Sequence, residues 1–207
     1  MLALERVYDL RNTFDIAAVN LSLGGGYYTS NCDTEPQKPL IDQLRAAGIA
    51  TVVAAGNDGF TNGLSSPACI SSAISVGSTR TSNDQVSSFS NSASFLDLLA
   101  PGEDIRSSVP GTGLSYKAGT SMATPHVAGA WAVLKSNDPQ ATVDEVLNNL
   151  TSTGVLITDS RNGLTFSRIN VTAAVIPEFP ASLLIFSLAI IPAVLLFSKG
   201  TILKFRN

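Results

Sequence analysis

Along the first fourteen residues, Leu4, Val7, Leu10 and Phe14 recur at helical spacing with charged residues between them, which predicts an amphipathic helix packed on a core. The β-rich run Ile16 to Leu23 follows and ends in Ser22-Leu23-Gly24-Gly25-Gly26. This predicts a strand that stops in glycines, where another backbone can come close. A polar loop covers 27–36, and Pro39 to Ala47 reads as a helix with Leu40, Ile41 and Leu44 inward and Gly48 as its stop. Ile49 to Ala55 is then apolar almost throughout, the pattern of a parallel strand covered on both faces. Strand, helix and strand in succession predict a doubly wound α/β sheet with its site at the C-terminal strand ends, and Gly56-Asn57 falls at such an end.

Further along, Ala73 to Gly77 reads as another buried strand. Val127, Ala130, Trp131 and Leu134 have helical spacing directly after Gly119-Thr120-Ser121. Thr142-x-x-Glu145 is a capping box that opens a helix containing Val146, Leu147 and Leu150. Asn162-Gly163 predicts a hairpin turn between 155–158 and 164–166.

The pattern breaks at Ile176-Pro177-Glu178-Phe179-Pro180. From Phe179 to Ser198 no residue is charged, and about twenty residues at 1.5 Å each match a hydrocarbon core of about 30 Å. Lys199, Lys204 and Arg206 follow, so the positive-inside rule predicts a cytoplasmic tail with everything upstream outside. The expected organisation is a catalytic-type domain over 1–176, a linker over 177–180, a transmembrane helix over 181–198 and a basic tail over 199–207. The protein is expected at the cell surface.

Composition narrows the function. The 207 residues are 44% hydrophobic, enough for a sizeable core, and carry a net charge of −3. Within residues 1–176, fifteen acidic face ten basic residues, which leaves no basic field for nucleic acid. The two cysteines, Cys32 and Cys69, cannot make a four-ligand zinc site. They are either one disulfide, closing a long loop in an oxidising exterior, or two buried thiols. Asp97, Glu103 and Asp104 read as solvated turn acids, and no metal site is expected. Asn149-Leu150-Thr151 and Asn170-Val171-Thr172 match glycosylation sequons. No signal peptide precedes Glu5 and Arg6.

Ser121, flanked by small residues where an apolar helical run begins, suits an exposed nucleophile at a helix N-terminus. Asn57 before Asp58-Gly59 reads by itself as a turn former. The stretch from Gly119 to Ala130, however, closely resembles the nucleophile segment of the subtilisin-like serine proteases. Ser22-Leu23-Gly24-Gly25 resembles a wall of that family's substrate groove, and Ala54 to Gly59 its oxyanion segment. Val86 to Asn91, Ala100 to Ile105 and Ser167 to Val175 resemble its Phe-Ser-Asn turn, its Ala-Pro-Gly element and its closing helix, all scaffold. The resemblance implies a serine endopeptidase acting on polypeptides, with Ser121 as nucleophile and Asn57 in the oxyanion hole. Ser22, Leu23, Gly24 and Gly56 would bind substrate as an added strand. No cofactor is implied, and although calcium sites occur in the family, none maps onto this chain.

A serine needs a base, and the base an orienting carboxylate. The lone histidine, His126, lies five steps of about 100° along the same predicted helix, so it reads as scaffold. The family's His-Gly-Thr and Asp-x-Gly segments are absent, and Asp9, Asp15 and Asp33 lie in other surroundings. Subtilisin-like enzymes run in the order Asp, His, Ser, so the expected fold is a subtilisin-type sheet, N-terminally incomplete, with a missing upstream half carrying both groups. On that expectation Met1 is internal to a longer protease and this chain alone is inactive. The alternatives are a non-catalytic, peptide-binding surface protein and a broken product with an unpaired sheet edge. Pro-Glu-Phe-Pro, the span and the basic tail also resemble an archaeal C-terminal sorting signal.

Overall fold

The computed structural model of the chain describes residues 2–111 and 113–175. The expected linker, membrane helix, tail and sorting signal lie outside the described residues. Among the described residues no helix is long and apolar enough to cross a membrane.

The elements are α1 (Leu2–Leu10), β1 (Ala18–Leu21), β2 (Gly25–Tyr28), α2 (Lys38–Ala46), β3 (Ala50–Ala54), β4 (Leu64–Ser66), β5 (Ile74–Arg80), β6 (Leu98–Glu103), β7 (Ile105–Ser108), β8 (Leu114–Lys117), α3 (Thr120–Asn137), α4 (Val143–Thr153), β9 (Val155–Thr158), β10 (Thr165–Arg168) and α5 (Val171–Val175). Six strands form one sheet in the order β1-β3-β5-β6-β10-β9, parallel except where β9 pairs antiparallel with β10. The described strands advance in one direction, so the reversal of order expected of a doubly wound sheet is not among them.

Both faces of the sheet are nevertheless covered, which explains why β3 is apolar apart from Thr51. Val53 and Leu99 join a cluster with Ile41 and Leu44 of α2 and Leu4 of α1. Val52, Ile74, Val76 and Leu98 point the other way, onto Val127, Trp131 and Leu134 of α3 and Val146 and Leu150 of α4. Successive strand side chains alternate between these two layers, and every residue of β3 is buried. The capping box of α4 forms as expected: Thr142 Oγ1 accepts from the Glu145 N–H, and the Glu145 carboxylate accepts from the Thr142 N–H at 2.7 Å.

Three local expectations are corrected. The first helix ends at Leu10, and Phe14 is 58% exposed rather than inward. The first strand stops at Leu21, ahead of the glycines, but the expected loop does not begin at 27: Gly25 to Tyr28 form β2, which pairs with β4. Ser167 and Arg168 belong to β10, because parallel pairing with Leu98 and Leu99 outweighs the helical pattern, and the closing helix starts only at Val171.

Cys32 and Cys69 are bonded, with their Cα atoms 5.3 Å apart and the Cys32 N–H donating to the Cys69 carbonyl at 3.0 Å. The link ties the chain after β2 to the chain after β4. Closing a loop of this length stabilises the fold by roughly 2–4 kcal/mol, mainly by restricting the unfolded chain.

The β9–β10 turn is braced by Asp159, only 1% exposed, whose carboxylate accepts from Arg161 Nε at 2.9 Å, Nη2 at 2.7 Å and N–H at 3.0 Å. Burial opposes the charge, but these hydrogen bonds outweigh it and hold the Asp159 carboxyl below its usual range. A lowered folded-state pKa contributes stability above the unfolded value of 3.8 and loses it as pH falls through the folded one. Asp159→Asn is therefore expected to cost about 2 kcal/mol near neutral pH. It should also make stability less steeply pH-dependent below about pH 4. Urea melts of both proteins across that range check this; parallel acid limbs would contradict it.

Candidate active site

The parallel register sets Leu21 of β1 opposite Val53 of β3, so the loops that follow both strands emerge at one edge of the sheet. Ser22 leaves β1 there, Gly56 and Asn57 leave β3, and α3 begins beside them. The start of α3 is held by β6: the Gly119 N–H donates to the Gly102 carbonyl at 2.8 Å. A Cβ at Gly102 would sit 2.7 Å from the Gly119 carbonyl oxygen and 3.0 Å from Ala123 Cβ, so glycine is what lets strand and helix approach this closely.

Ser121 is the second residue of α3. Among the described residues its N–H has no acceptor, as expected for a first-turn donor. Pro125 lies four residues on and has no N–H, so the Ser121 carbonyl lacks its ordinary helical donor. The Ser22 hydroxyl fills that place, donating to the Ser121 carbonyl at 2.8 Å, while Ser121 Oγ donates to the Ser22 carbonyl at 3.3 Å. The residue after β1 and the head of α3 are thus stitched together in both directions.

Asn57 is oriented by Thr120, a residue inside the recognised motif whose role the sequence reading did not single out. Asn57 Oδ1 accepts from the Thr120 N–H at 2.8 Å and from Thr120 Oγ1 at 3.0 Å. Two donors facing one atom identify it as the oxygen and leave Nδ2 as the donor that faces away. The Thr120 hydroxyl in turn accepts from the Gly56 N–H at 3.3 Å. Two donors without an acceptor among the described residues, Ser121 N–H and Asn57 Nδ2, therefore lie close to Thr120, at the positive end of a helix.

A cavity of about 510 Å³ opens beside them, lined by Leu23, Gly24, Gly56, Asn57 and Ser121 together with Ala54 and Ser65. Tyr27 and Phe60, neither anticipated from the sequence, close one side with ring centroids 4.4 Å apart. The β2–β4 pair forms this wall, and the disulfide lies behind it. Ser22 contacts Ser121 rather than the cavity.

His126 does not enter the site: its Nδ1 lies 2.8 Å from the Met122 carbonyl on its own helix, and the ring is exposed. The acids considered as metal ligands have separate partners. Asp97 accepts from the Ser75 N–H and hydroxyl, both at 2.7 Å, and burial pushes its carboxyl up despite them. Glu103 pairs with Arg80 at 3.1 Å, and Asp104 is exposed. Among the described residues no three carboxylate, histidine or cysteine side chains converge on a metal position.

The sequence profile of the subtilase family, peptidase S8, matches residues 3–169. Subtilisin E of Bacillus subtilis (strain 168) is 39% identical over 154 residues, which cover 73% of this chain and 38% of that protein. Subtilisin-like protease 3 of Trichophyton equinum is 40% identical over 144 residues, 70% of this chain and 34% of that one. A solved cold adapted subtilisin-like serine proteinase superposes with a TM-score of 0.68 at 33% identity, covering 80% of this chain and 59% of that one. The chain thus spans about a third to a half of the length of the curated relatives it matches. The profile takes in both strand ends, the asparagine turn and the head of α3, and on these grounds the chain belongs to the subtilase family of serine proteases.

Proposed function

We propose that this chain supplies the nucleophile and oxyanion hole of a subtilisin-like serine endopeptidase, and that a further polypeptide segment supplies the histidine base and its orienting aspartate. The observation that carries the reading is the arrangement of Ser121 Oγ, Ser121 N–H and the Thr120-anchored Asn57 beside one cavity, with no base in contact with Oγ among the described residues. With the histidine in place, Ser121 Oγ attacks the scissile carbonyl and passes its proton to the imidazole. The oxyanion is held by Ser121 N–H and Asn57 Nδ2, and the imidazole protonates the departing amine to leave an acyl-enzyme. Water then releases the acyl group by the reverse sequence. Leu23, Gly24 and Gly56 take the substrate backbone and the side chain before the cut.

Two surfaces support a docking segment. β1 is the outermost strand on its side of the sheet, and its outer edge has no partner among the described residues. The exposed face of α3 is apolar along much of its length: Pro125, Gly129, Ala132 and Val133 are exposed, Val133 by 42%, beside the polar His126, Ser136 and Asn137. Residues 181–198 would anchor the enzyme at the cell surface with the cavity outside.

Joining the chain to the polypeptide encoded directly upstream tests the proposal. The joined protein should hydrolyse a fluorogenic peptide, and Ser121→Ala should abolish this. Peptide binding without cleavage would instead favour a non-catalytic surface binder.

A further inference from the structure

Behind the asparagine turn lies a residue that the sequence comparison with the family assigns only to scaffold. Asn91 ends the segment after β5, is 0% exposed, and does not line the cavity. Its carboxamide is nonetheless fully used, and all of its partners belong to the turn that displays Asn57 or to the cavity wall beside it. Oδ1 accepts from the Asp58 N–H at 3.0 Å and the Phe60 N–H at 3.1 Å. Nδ2 donates to the Ala55 carbonyl at 3.1 Å, Ser65 Oγ at 3.2 Å and Asp58 Oδ2 at 3.3 Å. The Asn91 N–H donates to the Gly56 carbonyl at 3.0 Å. Residues on both sides of Asn57 are therefore bound to one buried side chain.

We propose that Asn91 is a positioning residue for the oxyanion hole: it sets the backbone of the 55–60 turn, while Thr120 sets the Asn57 side chain. This rests on the reading of Asn57 as an oxyanion donor. The argument is geometric. Gly56 has φ of 110°, a conformation open to glycine, and a Cβ there would strike the Asn91 amide and Ser65 Oγ, so turn and carboxamide are fitted to each other. Removing the carboxamide leaves the Asp58 and Phe60 N–H groups and the Ala55 carbonyl without this partner. The turn must then open to water or rearrange to satisfy them. Either movement carries Asn57 with it, and Nδ2 leaves the place where an oxyanion develops. The segment bearing Asn91 is itself held from behind, where Arg161 Nη1 donates to the Ser88 and Ser90 carbonyls at 2.9 and 2.8 Å.

The test has two parts. In the full 207-residue chain, without substrate, amide hydrogen exchange is followed by NMR in the wild type, Asn91→Ala and Asn91→Asp. Alanine should speed exchange at Asp58 and Phe60 at least about tenfold and leave the amides of β3 and β5 unchanged. Aspartate keeps an acceptor toward both amides but sets an oxygen against the Ala55 carbonyl and the Asp58 carboxylate, so their protection should fall between that of the alanine variant and the wild type. Equal exchange at Asp58 and Phe60 in wild type and Asn91→Ala would overturn the proposal. A uniform rise through β3 and β5 would overturn it too, by reducing Asn91 to general stability.

In the joined, hydrolytic protein, Asn91→Ala should lower kcat about 10- to 100-fold with KM unchanged. It should lower kcat no further in the Asn57→Ala background, because it acts through Asn57. Equal losses in both backgrounds would overturn the positioning role. The exchange measurement needs no catalysis, so absence of peptide hydrolysis counts against the protease reading and leaves the account of the turn to be judged by itself.

Discussion

Offered a peptidyl phosphonate, the 207-residue chain alone is expected to leave Ser121 unlabelled over a period that would fully modify an active subtilase. The reason is proton bookkeeping at one oxygen. A serine hydroxyl attacks phosphorus only as its proton leaves, and a positioned base contributes about 10²- to 10⁴-fold to such a step. Here Ser121 Oγ gives its proton to the Ser22 carbonyl at 3.3 Å, an acceptor that cannot take it away. The chain's one histidine is turned onto the Met122 carbonyl within its own helix. Joining the upstream polypeptide should restore labelling, at Ser121 and no other residue, as mass spectrometry of the digested adduct would read. Labelling of Ser121 in the unassisted chain would show that a base is already at hand and sink the proposal that one docks.

The second large effect is expected at Asn57. In the joined protein, Asn57→Ala should reduce kcat by about 10²- to 10³-fold, the range known from removing this kind of donor in a subtilisin, with KM little changed. Nδ2 faces charge that exists only after attack, so its loss is felt in the transition state rather than in substrate binding. The Oδ1 anchor makes the effect specific. Thr120 holds the carboxamide at 2.8 and 3.0 Å before substrate arrives, so little reorganisation accompanies the reaction. Steady-state kinetics on a peptide with a chromogenic leaving group check this; a loss confined to KM would mean that Asn57 binds substrate and does no more.

Much of the scaffold was legible because it is local. The five residues of β3 are apolar apart from Thr51, and the Thr142 to Glu145 box closes on itself within one helical turn. The misreadings share a cause. Phe14 continues a helical pattern past the point where the backbone leaves the helix, and its exposure shows that no neighbour within the described residues buries it. Gly25 reads as a strand end, yet β2 forms there because β4, about forty residues away, offers it an edge. Ser167 and Arg168 have a helical pattern but pair with Leu98 and Leu99. In each case the local pattern does not decide the path of the backbone, and in the last two a distant strand partner outweighs it, as pattern reading must expect.

The site divides along the same line. By itself the sequence determined the chemistry available: a serine opening an apolar helix, an asparagine at a strand end, glycines where backbones approach, and a single histidine in an unsuitable place. It also determined the family, because those motifs occur in a shared order. Only the tertiary structure decided how these groups are held. Ser22 bonds Ser121 across 99 positions, Thr120 bonds Asn57 across 63, and Asn91 bonds Asp58 across 33. Such contacts leave no periodicity in the chain, since they arise when parallel strands in register bring their C-terminal ends to one edge and buried polar groups there must find partners. Residue identity made the nucleophile and the donor possible; long-range pairing determined where they point.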